Sequence, residues 1–122
     1  AASDVYKRQD EEKAARSAAI QEATRFAALV PMQVARNACE LMEIIADVAR
    51  LGNQNAITDA CVAMMAARSA VLGALLNVRI NLGSLKDKTF VDELKREADH
   101  LEQLACMREK ELLEVVNQEL NQ

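Results

Sequence analysis

Breakers are what this sequence lacks: in 122 residues it has three glycines, Gly52, Gly73 and Gly83, and one proline, Pro31. Tight turns and hairpins draw heavily on Gly and Pro, so long stretches without either are free to continue as helix. The apolar residues are mainly Ala, Leu, Val and Met, a helix-forming mixture, and the only aromatic residues are Tyr6, Phe26 and Phe90. An all-α chain follows. At 51% hydrophobic and 28% charged it is too apolar for a disordered polymer and long enough for one modest core.

The few breakers divide the chain. Residues 10 to about 30, DEEKAARSAAIQEATRFAALV, place acids first with nothing to interrupt them, as a helix N-terminus favours. Pro31 marks a kink or a new start, and a second helix runs to about Leu51, with Gly52 as its C-cap. The loop GNQNAIT offers Asn53, Asn55 and Thr58 as caps for a third helix over about residues 56–82. After Gly83 the turn SLKDKT leads into a long final helix over about residues 90–120. The expected architecture is a helical bundle of about four helices with a long C-terminal helix, without internal repeats or a low-complexity linker.

Helical spacing then assigns faces. In the second helix Met32, Ala35, Cys39, Met42, Ala46 and Ala49 form one apolar stripe, and Val34, Leu41, Ile44, Ile45 and Val48 form another, so two buried faces are expected. In the third helix Asp59, Ala63, Ala66, Ala70, Gly73, Asn77 and Asn81 fall on one side at about 100° per residue. That is a lane of small residues with polar groups at both ends, and Arg68 and Arg79 lie opposite. In the last helix Leu94, Ala98, Leu101, Ala105, Leu112 and Val115 resemble a short coiled-coil seam, interrupted by Arg108. Asp92 with Arg96 and Lys110 with Glu114 stand four apart and can support its solvated face.

The opening AASDVYKRQ fits none of this. Read back into codons, DVYKRQ can be spelled by the end sequence of a transposon used to fragment DNA for sequencing. Residues 1–9 are therefore expected to be a translated adapter and disordered, with the authentic chain beginning at Asp10 as the C-terminal part of a larger helical domain. Setting aside Asp4, Lys7 and Arg8 moves the formal charge from −4 to −5, 13 basic against 18 acidic residues.

Composition excludes several functions. An acidic balance, no Trp and very few aromatics remove both the basic footprint and the stacking platform of a nucleic-acid binder. Cys39, Cys61 and Cys106 are odd in number and widely spaced, which suits reduced, buried thiols rather than disulfides or zinc. His100 has no second His or Cys near it to complete a metal site. The apolar region 56–82 has the length of a membrane span but carries Asp59, Arg68, Asn77, Arg79 and Asn81, so a buried helix of a soluble protein is expected.

The segment GNQNAITDACVAMMAARSAVLGALLNVRINLGSLKD resembles the signature region of the cyclodeaminase/cyclohydrolase family of folate enzymes. The specific part is Gly52-Asn53, Thr58-Asp59 and Asn77-Val78-Arg79-Ile80-Asn81 at these spacings. EEKAARSAAIQEAT, VPMQVARNACELM and the charged final helix are similar too, so the resemblance extends over nearly everything after residue 9. Family members begin with a Pro-Gly-Gly-Gly-Ser segment and another helix pair that this sequence does not contain, and Thr58 stands where they usually have Ser.

The resemblance implies a cytoplasmic, all-helical, dimeric enzyme of one-carbon metabolism that needs no metal or redox cofactor. The reaction it implies is hydrolysis of 5,10-methenyltetrahydrofolate to 10-formyltetrahydrofolate, with ammonia-releasing cyclisation of formiminotetrahydrofolate as the alternative. Asp59 is the expected catalytic residue, a carboxylate near the start of an apolar helix where burial would tune its pKa. Asn77, Asn81, Asn53 and Thr58 are expected substrate-binding residues, with Arg79 for a folate carboxylate or, equally, for a structural ion pair. Asp59 and Asn77 are about 27 Å apart along one straight helix, so they either line opposite ends of an elongated folate cleft or are brought together by an antiparallel pairing across a homodimer, and the lane of small residues favours the second. A non-catalytic helical assembly module is the competing class, and the chain by itself is expected to be inactive.

Overall fold

The structure is a computed structural model and describes residues 1–121. It contains three long helices and, among the described residues, no strand: α1 (Ala2–Leu51), α2 (Ile57–Leu82) and α3 (Lys88–Leu120), with a single 3-10 turn (Gln54–Ala56) before α2. The all-α expectation holds, with three helices instead of about four.

The difference lies at Pro31, which α1 passes through without a break. Proline has no N–H, so the carbonyl of Ala27 loses the bond that residue 31 would normally give it. Asn81 of α2 fills the gap: its Nδ2 donates to the Ala27 carbonyl at 3.3 Å and to the Asn77 carbonyl at 2.8 Å. Residues 2–9, expected to be disordered, are instead the first turns of α1. No breaker separates them from the helix that follows, and each residue added to an existing helix adds a backbone bond. No residue from 2 to 20 is buried, so this stretch projects beyond the three-helix body.

Gly52 ends α1 in an extended conformation, its N–H bonded to the Val48 carbonyl at 2.7 Å. A Cβ there would lie 2.8 Å from that carbonyl oxygen, which explains the glycine. Asn53 then caps the 3-10 turn through Oδ1, which accepts from the Ala56 N–H at 3.1 Å. At the other end Asp87 caps α3 by accepting from the Phe90 N–H at 3.2 Å. Gln21 staples this second loop to α1, donating to the Ser84 carbonyl at 3.1 Å and accepting from the Lys86 N–H at 2.9 Å. Arg25 pairs with Asp87 at 3.6 Å and lies over the Phe90 ring.

The core runs between the helices. Met32, Met42, Met64, Val71, Leu75, Val78 and Leu82 are its largest fully enclosed side chains. From α1 the first expected stripe is buried through Met32, Ala35, Cys39 and Met42, with Ala46 and Ala49 half-buried. The second stripe is not: Val34, Leu41, Ile44 and Val48 are exposed, and only Ile45 is covered. In α3 the seam ends on Val116 and leaves Val115 exposed, one residue from the expected position.

Ion pairs tie α3 to one side of the α1–α2 hairpin. Arg36 holds Glu97 with two bonds of 2.6 Å, and Arg108 donates to the Cys39 carbonyl and to Glu43, each at 2.6 Å. Arg68 pairs with Glu109. α2 with its preceding turn is long and apolar enough to cross a membrane by length and composition. Here ten of its residues form the core instead.

Candidate functional site

The small-residue lane of α2 faces outward. Asp59, Ala63, Ala66, Ala70, Gly73 and Asn77 are all exposed, and Asn81 is half-buried beside Ala27. An ideal Cβ on Gly73 would meet nothing within 4 Å. Val62, Met65, Leu76 and Ile80 flank the lane and are exposed as well, Ile80 at 76% and Leu76 at 68%. The exposed stripe of α1, Val34, Leu41, Ile44 and Val48, continues this surface across the hairpin. On a helix wheel the lane and its flank lie away from the side that meets α3. The hairpin therefore carries an apolar face whose hydrogen-bonding groups stand at its two ends, Asp59 at one and Asn77 at the other.

The expected site residues separate into three groups. Asp59 and Thr58 sit in the first turn of α2 with exposed side chains, and no hydrogen bond or ion pair engages them among the described residues. The expected burial of Asp59 is not found, because α1 and α3 cover the opposite side of α2 from it. Asn77 is exposed, and no hydrogen bond engages its side chain among the described residues. Asn53, Asn81 and Arg79 already have partners. Asn53 caps a turn, Asn81 satisfies the carbonyl orphaned by Pro31, and Arg79 bonds Asp99 at 3.1 Å and Glu102 at 3.3 Å on α3. Of the two roles open to Arg79, the structure shows the ion pair.

Within one chain these residues do not converge. Asp59 and Asn77 share a helix face about 27 Å apart, and Arg79 points to another side. Among the described residues no group of three His, Cys, Asp or Glu is placed to hold a metal ion. Burial pushes the Cys39 thiol above its ordinary pKa, partly offset by nearby Arg108, and burial likewise raises Cys61. Both are packing residues. Arg108 was legible in sequence only as an interruption of the α3 seam, and Gln21 gave no signal at all, because its partners lie more than sixty residues away.

A cavity also opens at the end of the bundle. A cleft of about 380 Å³ lies between the last turns of α1 and α3 and the 3-10 turn, and Asn53 is the only expected site residue lining it.

The family model described as formiminotransferase-cyclodeaminase matches residues 1–100. The chain belongs to this family. It is 38% identical over 115 residues to a methenyltetrahydrofolate cyclohydrolase of Methylorubrum extorquens, covering 94% of this chain and 55% of that protein. It is 34% identical over 95 residues to the formimidoyltransferase-cyclodeaminase of Rattus norvegicus, covering 78% of this chain and 18% of the relative. The pig enzyme of the same name, from Sus scrofa, is 35% identical over 95 residues, with the same shares covered. The chain thus spans about half the length of the bacterial relative and under a fifth of the mammalian ones.

Proposed function

We propose that the protein acts in cytoplasmic one-carbon folate metabolism, hydrolysing 5,10-methenyltetrahydrofolate to 10-formyltetrahydrofolate. The family membership supports the substrate class. The match to the bacterial cyclohydrolase, which takes in 94% of the chain, favours hydrolysis. Cyclodeamination of formiminotetrahydrofolate is the second reading, favoured by the matches to the mammalian enzymes.

The observation that carries the mechanism is an exposed, unengaged carboxylate, Asp59, at one end of a lane that has the free amide of Asn77 at the other. Hydrolysis adds water to the carbon held between two nitrogens, giving a tetrahedral intermediate. One carbon–nitrogen bond then breaks, with a proton delivered to the departing nitrogen. Asp59 takes one proton of the attacking water and returns it to that nitrogen, the remaining hydroxyl proton leaves to solvent as the formyl carbonyl forms, and Asn77 hydrogen-bonds the substrate and orients it.

Both groups reach one substrate in a homodimer. Two copies of α2 packed antiparallel along the lane bring Asp59 of one copy beside Asn77 of the other, and the alanines and Gly73 permit close approach. A two-fold axis crossing the lane midway between Asp59 and Asn77, between Ala66 and Ala70, carries Asp59 of one copy to the level of Asn77 of the other. Such a dimer would also cover Val62, Met65, Leu76 and Ile80, which otherwise form an unusually apolar exterior.

The test follows methenyltetrahydrofolate absorbance with the 122-residue chain and with any longer product of its gene, for wild type, Asp59→Asn and Asn77→Ala. Decay that Asp59→Asn abolishes with the helical fold intact is expected. Mixing the two inactive variants is expected to restore part of the rate, because a mixed dimer keeps one intact site. Rapid decay in Asp59→Asn would remove Asp59 from the chemistry, and no restoration on mixing would refute the shared site.

A further inference from the structure

Along the outward face of the α1–α2 hairpin the exposed side chains of α1 follow a seven-residue repeat. Ala27, Val34, Leu41 and Val48 stand seven apart and are exposed. Val30, Asn37, Ile44 and Leu51, each three positions further on, repeat in the same way and are exposed too. Such positions are the a and d residues of a coiled-coil seam, which a helix buries only against another helix. The core takes a different side of α1, through Met32, Ala35, Cys39 and Met42, so no helix among the described residues covers the seam. It runs for about 36 Å at 1.5 Å per residue.

The seam keeps step with the lane on α2. Asn81 donates to the Ala27 carbonyl, so these two residues stand level across the antiparallel hairpin. Pairing Asp59 with Asn77 of a second copy puts the two-fold axis at residue 68 of α2, thirteen positions before Asn81. Thirteen positions after Ala27 is residue 40 of α1. An antiparallel seam sets a against d, which allows axes only about 3.5 residues apart on α1, and one of these falls at residue 39. A single axis therefore serves both helices to within about one residue, or 1.5 Å. The joint face is about 36 Å long and two helices, about 20 Å, wide. That gives about 700 Å² per copy, close to the roughly 800 Å² per partner of a standard interface.

Resting on the α2 pairing above, we propose that α1 completes the dimer interface by packing its seam antiparallel against α1 of a second copy, with the axis at residue 39. Val34 then packs against Ile44 of the other copy, Leu41 against Asn37, Val48 against Val30 and Ala27 against Leu51. Asn37 is the one polar member, and a single polar seam residue favours one register at some cost in stability. Glu40 flanks the seam beside the axis, exposed and without an ion pair among the described residues, and the dimer brings its two copies together at the rim. Like charges so placed oppose association weakly.

The test removes the exposed thiol with Cys106→Ser, leaving Cys39 and Cys61 buried, and mixes a Val34→Cys chain with an Ile44→Cys chain under mild oxidation. A disulfide-linked pair is expected from the mixture and from neither chain alone. Each of these residues lies ten positions, about 15 Å, from its own copy along the axis, beyond the reach of a disulfide. Sedimentation should show a dimer at micromolar concentration. Leu41→Glu, at a position exposed in the single chain, should shift it to monomer with the helical circular dichroism unchanged, and Glu40→Gln should tighten association about twofold at low salt. A monomeric wild type, a dimer indifferent to Leu41→Glu or loosened by Glu40→Gln, or capture of Val34→Cys by Asn37→Cys instead of Ile44→Cys, which marks the neighbouring register, overturns the proposal. A linked dimer that leaves methenyltetrahydrofolate unchanged would remove the enzymatic reading and keep this interface. Activity restored on mixing the Asp59 and Asn77 variants, without the link between positions 34 and 44, would do the reverse.

Discussion

Replacing Asn81 tests whether α1 crosses Pro31 with help from α2. In Asn81→Ala the Ala27 carbonyl loses its donor, since residue 31 has no N–H to offer, and Asn77 loses the second bond at its carbonyl. The site is half-exposed, so water replaces part of the loss, and a net cost near 1 kcal/mol is expected, the middle of the range for a hydrogen bond. Alanine's better helix propensity returns a few tenths of that. With an unfolding entropy of about 2.1 cal/mol/K per residue over this chain, the midpoint should fall by about 3–4 °C. The decisive measurement is a double-mutant cycle. Pro31→Ala restores an N–H that can bond the Ala27 carbonyl within α1, and in that background Asn81→Ala should cost less by about 0.5–1 kcal/mol. Thermal and urea unfolding followed at the helical circular dichroism band supply all four corners. Strictly additive effects would refute the coupling and leave the continuity of α1 to other packing.

Three further outcomes follow from the same geometry. Gly73→Ala should raise the stability of dilute, monomeric chain by about 0.5–1 kcal/mol, since a helical glycine with no neighbour is replaced by a better helix former, while Gly73→Leu should lower the mass measured by sedimentation by blocking the lane; a fall in monomer stability for Gly73→Ala would mean the lane is already packed. Glu97 is held below its ordinary pKa, mainly by its bonds to Arg36 with burial opposing, so the pair's contribution is complete above the unfolded carboxylate range and fades as pH falls through the lowered folded value. Both side chains are about one-third exposed, so that contribution is about 1 kcal/mol or less, and an acid titration of stability should lose this component in Glu97→Gln. A thiol reagent should label exposed Cys106 first, with Cys39 and Cys61 protected by burial and raised pKa until the chain unfolds; equal labelling of all three in the native state would contradict the packing of α1 and α2.

Comparing individual elements shows how far the sequence could be read. Both ends of α2 were legible because the turns that flank it, the one Asn53 caps and the one that begins at Gly83, are set by residues a few positions away. The lane of small residues was legible for the same reason, since a helix wheel needs only regular spacing. The exposure of that lane was not, and neither was that of Val34, Leu41, Ile44 and Val48. An apolar stripe reports a face that prefers to be covered, and only the placement of α3 shows which stripe it covers. Asn81 and Arg79 read as substrate ligands because side chains of their type serve either role. What separates the roles is a carbonyl fifty-four residues away in one case and two carboxylates on α3 in the other.

By itself, then, the sequence determined that this protein is helical, where α2 begins and ends, and which family it belongs to. Those properties come from backbone propensity, caps and local spacing, all carried by residues close together in the chain. The tertiary structure decided that α1 runs unbroken through Pro31, that α3 covers one side of the α1–α2 hairpin, and that Asp59 stands exposed and unengaged. Each of these depends on a partner supplied by another helix, and hydrogen-bond and burial partners at that distance leave no periodic trace in the sequence.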